Sequence, residues 1–297
     1  VTPEGFRIHH YKEVSSTNKE ALDLIGRGIS NETIIIADKQ TEGRGRTGKN
    51  WISPEGNFYA SLVINLFNDY LNESQLSVSF QRVTLESRKK EEWIPVSSTG
   101  MTSEGTGMTS EGIGMTEKGL VNKIADVSKL TELTFVTALA VGNTLLSLIA
   151  DSNVQYKWPN DVLVDSKKIS GILLEKRSNS NWLIIGIGIN VNHAPLPGTT
   201  CISNYGESVS NTDLLKELII NFNKLRKQWL FDGFYAIRKM WLKKAFKMNE
   251  QISVKLADKL YEGIFADIDK SGKLVLQQKD ESLIYFDAGE LFIDNAL

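Results

Sequence analysis

The chain has little with which to hold a metal or cross-link itself: its 297 residues include one cysteine and three histidines. A single thiol, Cys201, excludes an intramolecular disulfide and a cysteine-based zinc site, and it suits a reducing, cytoplasmic setting. Nothing near Cys201 in the sequence would activate it, so it reads as a small inert residue. His9, His10 and His193 lack metal-ligand spacing, and no metal site is expected. An excess of one charge is also missing. Thirty-four basic and 36 acidic residues leave a formal charge of −2, which excludes a global pull toward nucleic acid or membrane. The opening residues, Val-Thr-Pro-Glu-Gly, show no charged n-region followed by an apolar run, so no signal peptide is expected. The most apolar stretch, 131–150, is interrupted by Glu132 and Asn143. It predicts a buried helix, not a membrane span.

What the chain does have is concentrated in residues 43–51, Gly-Arg-Gly-Arg-Thr-Gly-Lys-Asn-Trp. Gly43, Gly45 and Gly48 free the backbone to fold tightly around a ligand. Arg44, Arg46 and Lys49 add three cations, and the arginines can grip phosphate or carboxylate with paired donors. Trp51 ends the segment with a flat face for stacking. A pliable, cationic, aromatic-ended loop suits an anionic and partly planar ligand such as an adenylate. The alternative is a solvated basic turn or a nucleic-acid patch. The spacing is not a Walker loop. It matches the dinucleotide G-x-G-x-x-G by letter, but Pro54 disfavours helix at Ser53, where that fingerprint needs a helix to begin.

Periodicity predicts an α+β fold with a mixed, largely antiparallel sheet. Thr17-x-x-Glu20 reads as a capping box opening a helix. Thr33 to Ala37 is a β-branched strand that delivers Gln40 and the arginine–glycine loop. Further strands are expected at 57–66, 154–158, 162–164, 169–175 and 182–191, with a hairpin at Asp165-Ser166-Lys167. Helices are expected at 129–150, 212–231 and 234–246. Four short strands in the last fifty residues, at 251–256, 261–268, 273–278 and 283–286, suggest a small SH3-like barrel. The expected domains are 1–247 and 248–297. Residues 68–125 break the pattern: the heptapeptide Gly-Met-Thr-Ser-Glu-Gly-Thr at 100–106 recurs at 107–113 with one change. Its Gly, Ser, Thr and Glu content predicts an inserted loop unable to bury enough surface to order itself.

Three more groups carry candidate chemistry. Lys157-Trp158-Pro159-Asn160-Asp161 ends a strand, where Lys157 could neutralise a carboxylate or phosphate and Asn160 could donate or accept beside a sugar or a metal. A surface lysine beside a turn-forming Asn-Asp pair explains it equally well. Gly171, within Lys168 to Glu175, marks either a close ligand approach or packing under an aromatic ring. From Ile185 to Asn192 the chain alternates, placing Gly186, Gly188, Asn190 and Asn192 on one face. That face is either a ligand floor or the seat of another element. At the first helix, Ser16 and Asn18 flank Thr17 and offer a hydroxyl and an amide to a polar head group.

In this order the motifs Ser16-Thr17-Asn18, Gln40, GRGRTGKNW (43–51), KWPNDV (157–162), KISGILLE (168–175) and GIGINVN (186–192) resemble the biotin protein ligases. The tail from Gln251 to Ile293 resembles that family's SH3-like C-terminal domain. The resemblance implies a sheet related to lipoate ligases and class II aminoacyl-tRNA synthetases. It also implies two steps: biotin and Mg·ATP form biotinyl-5′-AMP, and a lysine of a biotin carboxyl carrier domain then takes the biotinyl group. Arg44 and Lys157 would be catalytic. Ser16, Thr17, Asn18, Gln40, Arg44, Gly45, Arg46, Lys157 and Gly171 would bind biotin. Arg46, Thr47, Lys49, Trp51, Asn160 and Asn190 would bind the adenylate. Thr47 and Lys49 stand where many relatives have arginine, which lowers the local charge. Only fifteen residues precede Ser16, so no DNA-binding helix-turn-helix, and no nucleic-acid or membrane partner, is expected; the chain would be a monomer or homodimer. A lipoate-type ligase and a non-catalytic sensor of the adenylate are the competing functions.

Overall fold

The structure, a computed structural model, describes residues 5–66, 127–149, 151–176, 180–206, 209–256, 259–287 and 290–292. The expected insertion at 68–125 lies outside the described residues. Seven strands form the main sheet: β1 (Arg7–Val14), β2 (Thr33–Gln40), β3 (Phe58–Asn65), β4 (Val154–Lys157), β5 (Asp161–Val164), β6 (Lys167–Lys176) and β7 (Trp182–Ile189). Their spatial order is β1-β2-β3-β7-β6-β5-β4. Only β1 and β2 run parallel; every other pair is antiparallel. The mixed sheet matches the pattern expected from periodicity. β1 carries polar residues at most positions and is largely exposed, as suits an edge strand, and for that reason it escapes an apolar-alternation reading.

Helix α1 (Thr17–Gly26) packs on β2, β3 and β7. Its Ala21 joins Ile35, Val63 and Ile184 in a buried cluster flanked by Leu22, Leu24 and Ile25. Helix α2 (Val127–Leu148) packs on β4, β5 and β6 and along α3 (Asn211–Leu242). It is long and apolar enough to span a membrane, yet Leu133, Val136, Ala140, Val141 and Leu145 are buried in this core. Phe135 meets Phe234 and Trp241 edge-on at 5.2 Å, and Trp241 stacks on Tyr156 at 5.9 Å.

Two helices were expected where α3 lies, and the structure shows two joined across a kink at Gly233, whose φ of 70° interrupts the helical path. The run stops at Leu242, short of 246, because the following backbone pairs with β4: Tyr156 N donates to Lys244 O and Phe246 N to Tyr156 O. The turn between β5 and β6 holds Asp165 and Ser166 at φ 48° and 64°, the left-handed pair that a tight hairpin needs.

The second sheet contains β8 (Gln251–Leu256), β9 (Lys259–Ile268), β10 (Leu274–Gln277), β11 (Leu283–Phe286) and β12 (Glu290–Phe292). All its pairings are antiparallel, in the order β11-β10-β9-β8-β12. Four strands were expected there. The fifth, β12, is three residues long and carries too little pattern to be read, and Lys259 begins β9 instead of breaking it. Val254, Phe265, Ile268, Leu274, Leu276 and Phe286 form its core.

Candidate functional site

A cleft of about 620 Å³ opens where the loop after β2, the β4–β5 turn and the middles of β6 and β7 meet. Every residue that the family resemblance assigns to biotin or the adenylate lines it: Ser16, Thr17, Asn18, Gln40, Arg44, Gly45, Arg46, Thr47, Lys49, Trp51, Lys157, Asn160, Gly171 and Asn190; Gly43, Gly48 and Asn192 do not. The flap and the strand-end turn therefore share one cavity.

The arginine–glycine segment is a small hydrogen-bonded hairpin. Gly45 N donates to Lys49 O at 2.6 Å, Trp51 N to Gly43 O at 2.9 Å, and Arg44 bridges to Asn50. A Cβ on Gly43 would collide with the Trp51 carbonyl and Ser53 Oγ, so this close approach requires glycine. Residues 46–48 form one short 3-10 turn, with Thr47 at φ 53° off the helical path. Past the loop, the Tyr59 hydroxyl donates to Pro54 O at 2.7 Å. Burial pushes its pKa well above the ordinary tyrosine value, so it remains protonated and able to donate.

The indole of Trp51 lies on the sheet. Gly171 and Gly188 are cross-strand partners, and Cβ atoms built on them would fall 2.9 Å and 2.5 Å from the ring. The packing alternative left open for Gly171 and Gly188 is therefore realised by the chain's own tryptophan. Gly186 is covered in the same way by the Asn18 amide. Among the described residues, Trp51 Nε1 is a buried donor without a hydrogen-bond partner.

At the other end, Thr17 is the first residue of α1 and not its cap. Ser16 holds the cap position in extended conformation without a side-chain bond to the helix. Gln40, from the end of β2, does the capping: its Oε1 accepts from Thr17 N at 2.8 Å and from Thr17 Oγ1 at 3.1 Å. A distant amide thus satisfies a helix-start donor that Thr17-x-x-Glu20 was expected to satisfy locally. Gln40 Nε2 donates to Ser53 Oγ, which donates to Trp51 O, each at 2.9 Å. Asn18 is buried and bonded at both ends of its amide: Nδ2 donates to Glu175 Oε2 at 2.7 Å and Oδ1 accepts from Ser61 Oγ at 2.5 Å.

The cations come from three segments. Arg44 pairs with Glu175 at 3.0 Å. Arg46 is held below its usual pKa by burial, and the nearby Asp161 charge opposes that shift. Lys157 ends β4 at the cleft, and the next residue, Trp158, is 1 % exposed with Nε1 donating to Gly272 O at 3.0 Å. Asn160 donates to Ile172 O at 2.7 Å, tying the turn to β6. Asn190 is 2 % exposed, with Nδ2 bound to Thr200 O, so most of its side chain braces the β7 exit.

Sequence reasoning missed three members. Lys168 crosses Gly171, pairs with Asp161 at 2.7 Å and sits 5.3 Å from the Trp51 ring centroid. Glu175 joins Arg44 to Asn18. Ser61, 0 % exposed, lies under both Thr17 and Asn18. A lysine three residues before a strand glycine was a usable signal for Lys168. The other two depend on contacts across the fold.

Fold and cleft together bring a cationic loop, a strand-end turn and a polar helix start around one cavity. The sequence matches the biotin/lipoate A/B protein ligase family at residues 11–101 and 120–192, and the biotin protein ligase C-terminal domain at 247–294. The chain belongs to the biotin/lipoate A/B protein ligase family. It is 30 % identical over 275 residues to the biotin–[acetyl-CoA-carboxylase] ligase of Paracoccus denitrificans, covering 88 % of this chain and 90 % of that one. It is 26 % identical over 242 residues to the bifunctional ligase/repressor BirA of Bacillus subtilis. That match covers 77 % of this chain but only 57 % of the relative's length. The fold is shared with the Aquifex aeolicus biotin protein ligase solved with biotin and ATP: TM-score 0.68, 22 % identity, 96 % and 97 % of the two chains covered.

Proposed function

We propose that this chain is an ATP-dependent biotin ligase that attaches biotin to a lysine of a biotin carboxyl carrier domain through biotinyl-5′-AMP. One observation carries the reading: Arg44 and Arg46, Lys157, and Lys168 come from three separate segments to one cleft, whose far end holds Ser16, Thr17, Asn18 and Gln40. Biotin's ureido ring takes the polar end, and its carboxylate points to the arginine loop. The carboxylate oxygen attacks the α-phosphorus of ATP, a P–O bond forms, and pyrophosphate leaves. Negative charge builds on the α-phosphoryl oxygens, and fixed cations at that point lower the barrier by electrostatic stabilisation. Arg44, Arg46, Lys157 and Lys168 supply them; Thr47, Lys49, Trp51, Asn160 and Asn190 line the nucleotide side. Magnesium arrives as part of the nucleotide substrate, as befits a cleft whose lining carboxylate, Asp161, is already paired with Lys168, and whose neighbour Glu175 is paired with Arg44.

In the second step the neutral ε-amine of the carrier lysine attacks the acyl carbon, AMP leaves, and the amine's proton goes to solvent. The loop shields the mixed anhydride from hydrolysis until the amine arrives. Residues 1–247 form the catalytic part and 248–297 the SH3-like part, acting in the cytoplasm as monomer or homodimer without nucleic acid. The test is biotin-dependent ATP–pyrophosphate exchange, followed by transfer to an apo carrier domain. Both should occur; exchange driven by lipoate and not by biotin would overturn the reading.

A further inference from the structure

We infer that Glu175 is the positioning residue of the arginine loop, because one of its carboxylate oxygens holds both Arg44 and Asn18. Oε2 accepts from Arg44 NH2 at 3.0 Å and from Asn18 Nδ2 at 2.7 Å. Arg44 sits on a loop pinned by its backbone and by Trp51, and among the described residues the Glu175 carboxylate is the group that aims its guanidinium. Asn18 cannot drift to release it. Its Oδ1 is bound to Ser61, it is 4 % exposed, and it lies against Gly186. Glu175 therefore transmits the rigidity of the cleft floor to a cation that would otherwise sample open solvent. Aiming the guanidinium before the acid arrives removes part of the ordering cost of binding. The kinetic part of this inference rests on the ligase reading; the ion pair and the loop's restraint do not.

The test uses the full-length protein. Trypsin cuts after Arg44, Arg46 and Lys49, so loop cleavage in ligand-free protein reports how firmly the loop is held. Glu175→Gln keeps the shape but removes the charge, and should raise loop cleavage about tenfold, the effect of losing one charge-assisted bond. Glu175→Asp, which keeps the charge, should fall between Gln and wild type. In pyrophosphate exchange the KM for biotin should rise about tenfold for the Gln variant while kcat changes less than about threefold, since the loss is in positioning before chemistry. Unchanged cleavage and KM in Glu175→Gln would overturn the inference. So would a lowered KM, which would make Glu175 a competitor of the substrate carboxylate. If Glu175→Gln does not fold, Arg44→Gln breaks the pair from its exposed side, and cleavage after Arg46 and Lys49 must rise by the same factor. Absence of biotin-dependent exchange in the wild type would remove the ligase reading, while the cleavage arms would still judge Glu175.

Discussion

The turn from Lys157 to Asp161 and the loop from 43 to 51 face the same cleft, but Trp158 is 1 % exposed whereas Arg44 keeps 41 % of its side chain in water. The turn is locked by burial: Trp158 reaches the second sheet through Gly272, and Asn160 is bonded to β6. The loop is held by backbone bonds across its own neck, by one indole lying on two glycines, and by the Arg44–Glu175 pair. The turn is thus fixed by burial, whereas Arg44 on the loop is aimed by a half-exposed ion pair with Glu175. A site that must admit two substrates and then exclude water benefits from one rigid wall and one compliant wall.

The contrast can be broken most severely from the rigid side. Trp158→Ala removes a buried indole joining both sheets and should cost about 3–5 kcal/mol of stability, measurable by denaturant unfolding; a loss under about 1 kcal/mol would mean that burial does not lock the turn. Arg44→Ala should leave the unfolding midpoint nearly unchanged and lower kcat/KM for pyrophosphate exchange about 10- to 100-fold. Wild-type exchange in that variant would show that the compliant wall takes no part in chemistry. Lys157→Ala and Lys168→Ala sharpen the comparison within the fixed elements. Each should reduce kcat by about tenfold or more, and whichever falls further names the lysine nearest the developing charge.

A smaller effect is expected at the seat of Trp51. Gly188→Ala places a methyl 2.5 Å from the indole, so the ring must lift, and the KM for ATP should rise about tenfold. Steady-state exchange at varied ATP measures it, and an unchanged KM would show that the loop works without that seat. The least effect is expected from removing residues 102–119, which fall between the two family-matched stretches. Exchange should change by less than about twofold, as for other loop deletions.

Much of this was legible in one dimension. Strand periodicity locates every central strand, and Pro54 rightly argues against a helix opening at 49–54, where the backbone is non-helical. The misreadings have a common origin. Thr17-x-x-Glu20 looks like a capping box, yet the helix start is satisfied by Gln40, 23 residues away. The glycines of 171 and 186–188 looked equally like a ligand floor, and only their register revealed Trp51 and Asn18 lying on them. Glu175 stood at the end of a quoted motif without a role because its partners are 131 and 157 residues distant.

The amino-acid order by itself determined the fold class, the arrangement of motifs and the family, since hydrophobic period and glycine spacing are local properties that act over a few residues. Tertiary structure alone decided which side chains share an oxygen, which glycines carry a ring and which helix a distant glutamine caps. Those pairings arise from strand register and the angle at which α1 meets the sheet, and neither is encoded within any one segment.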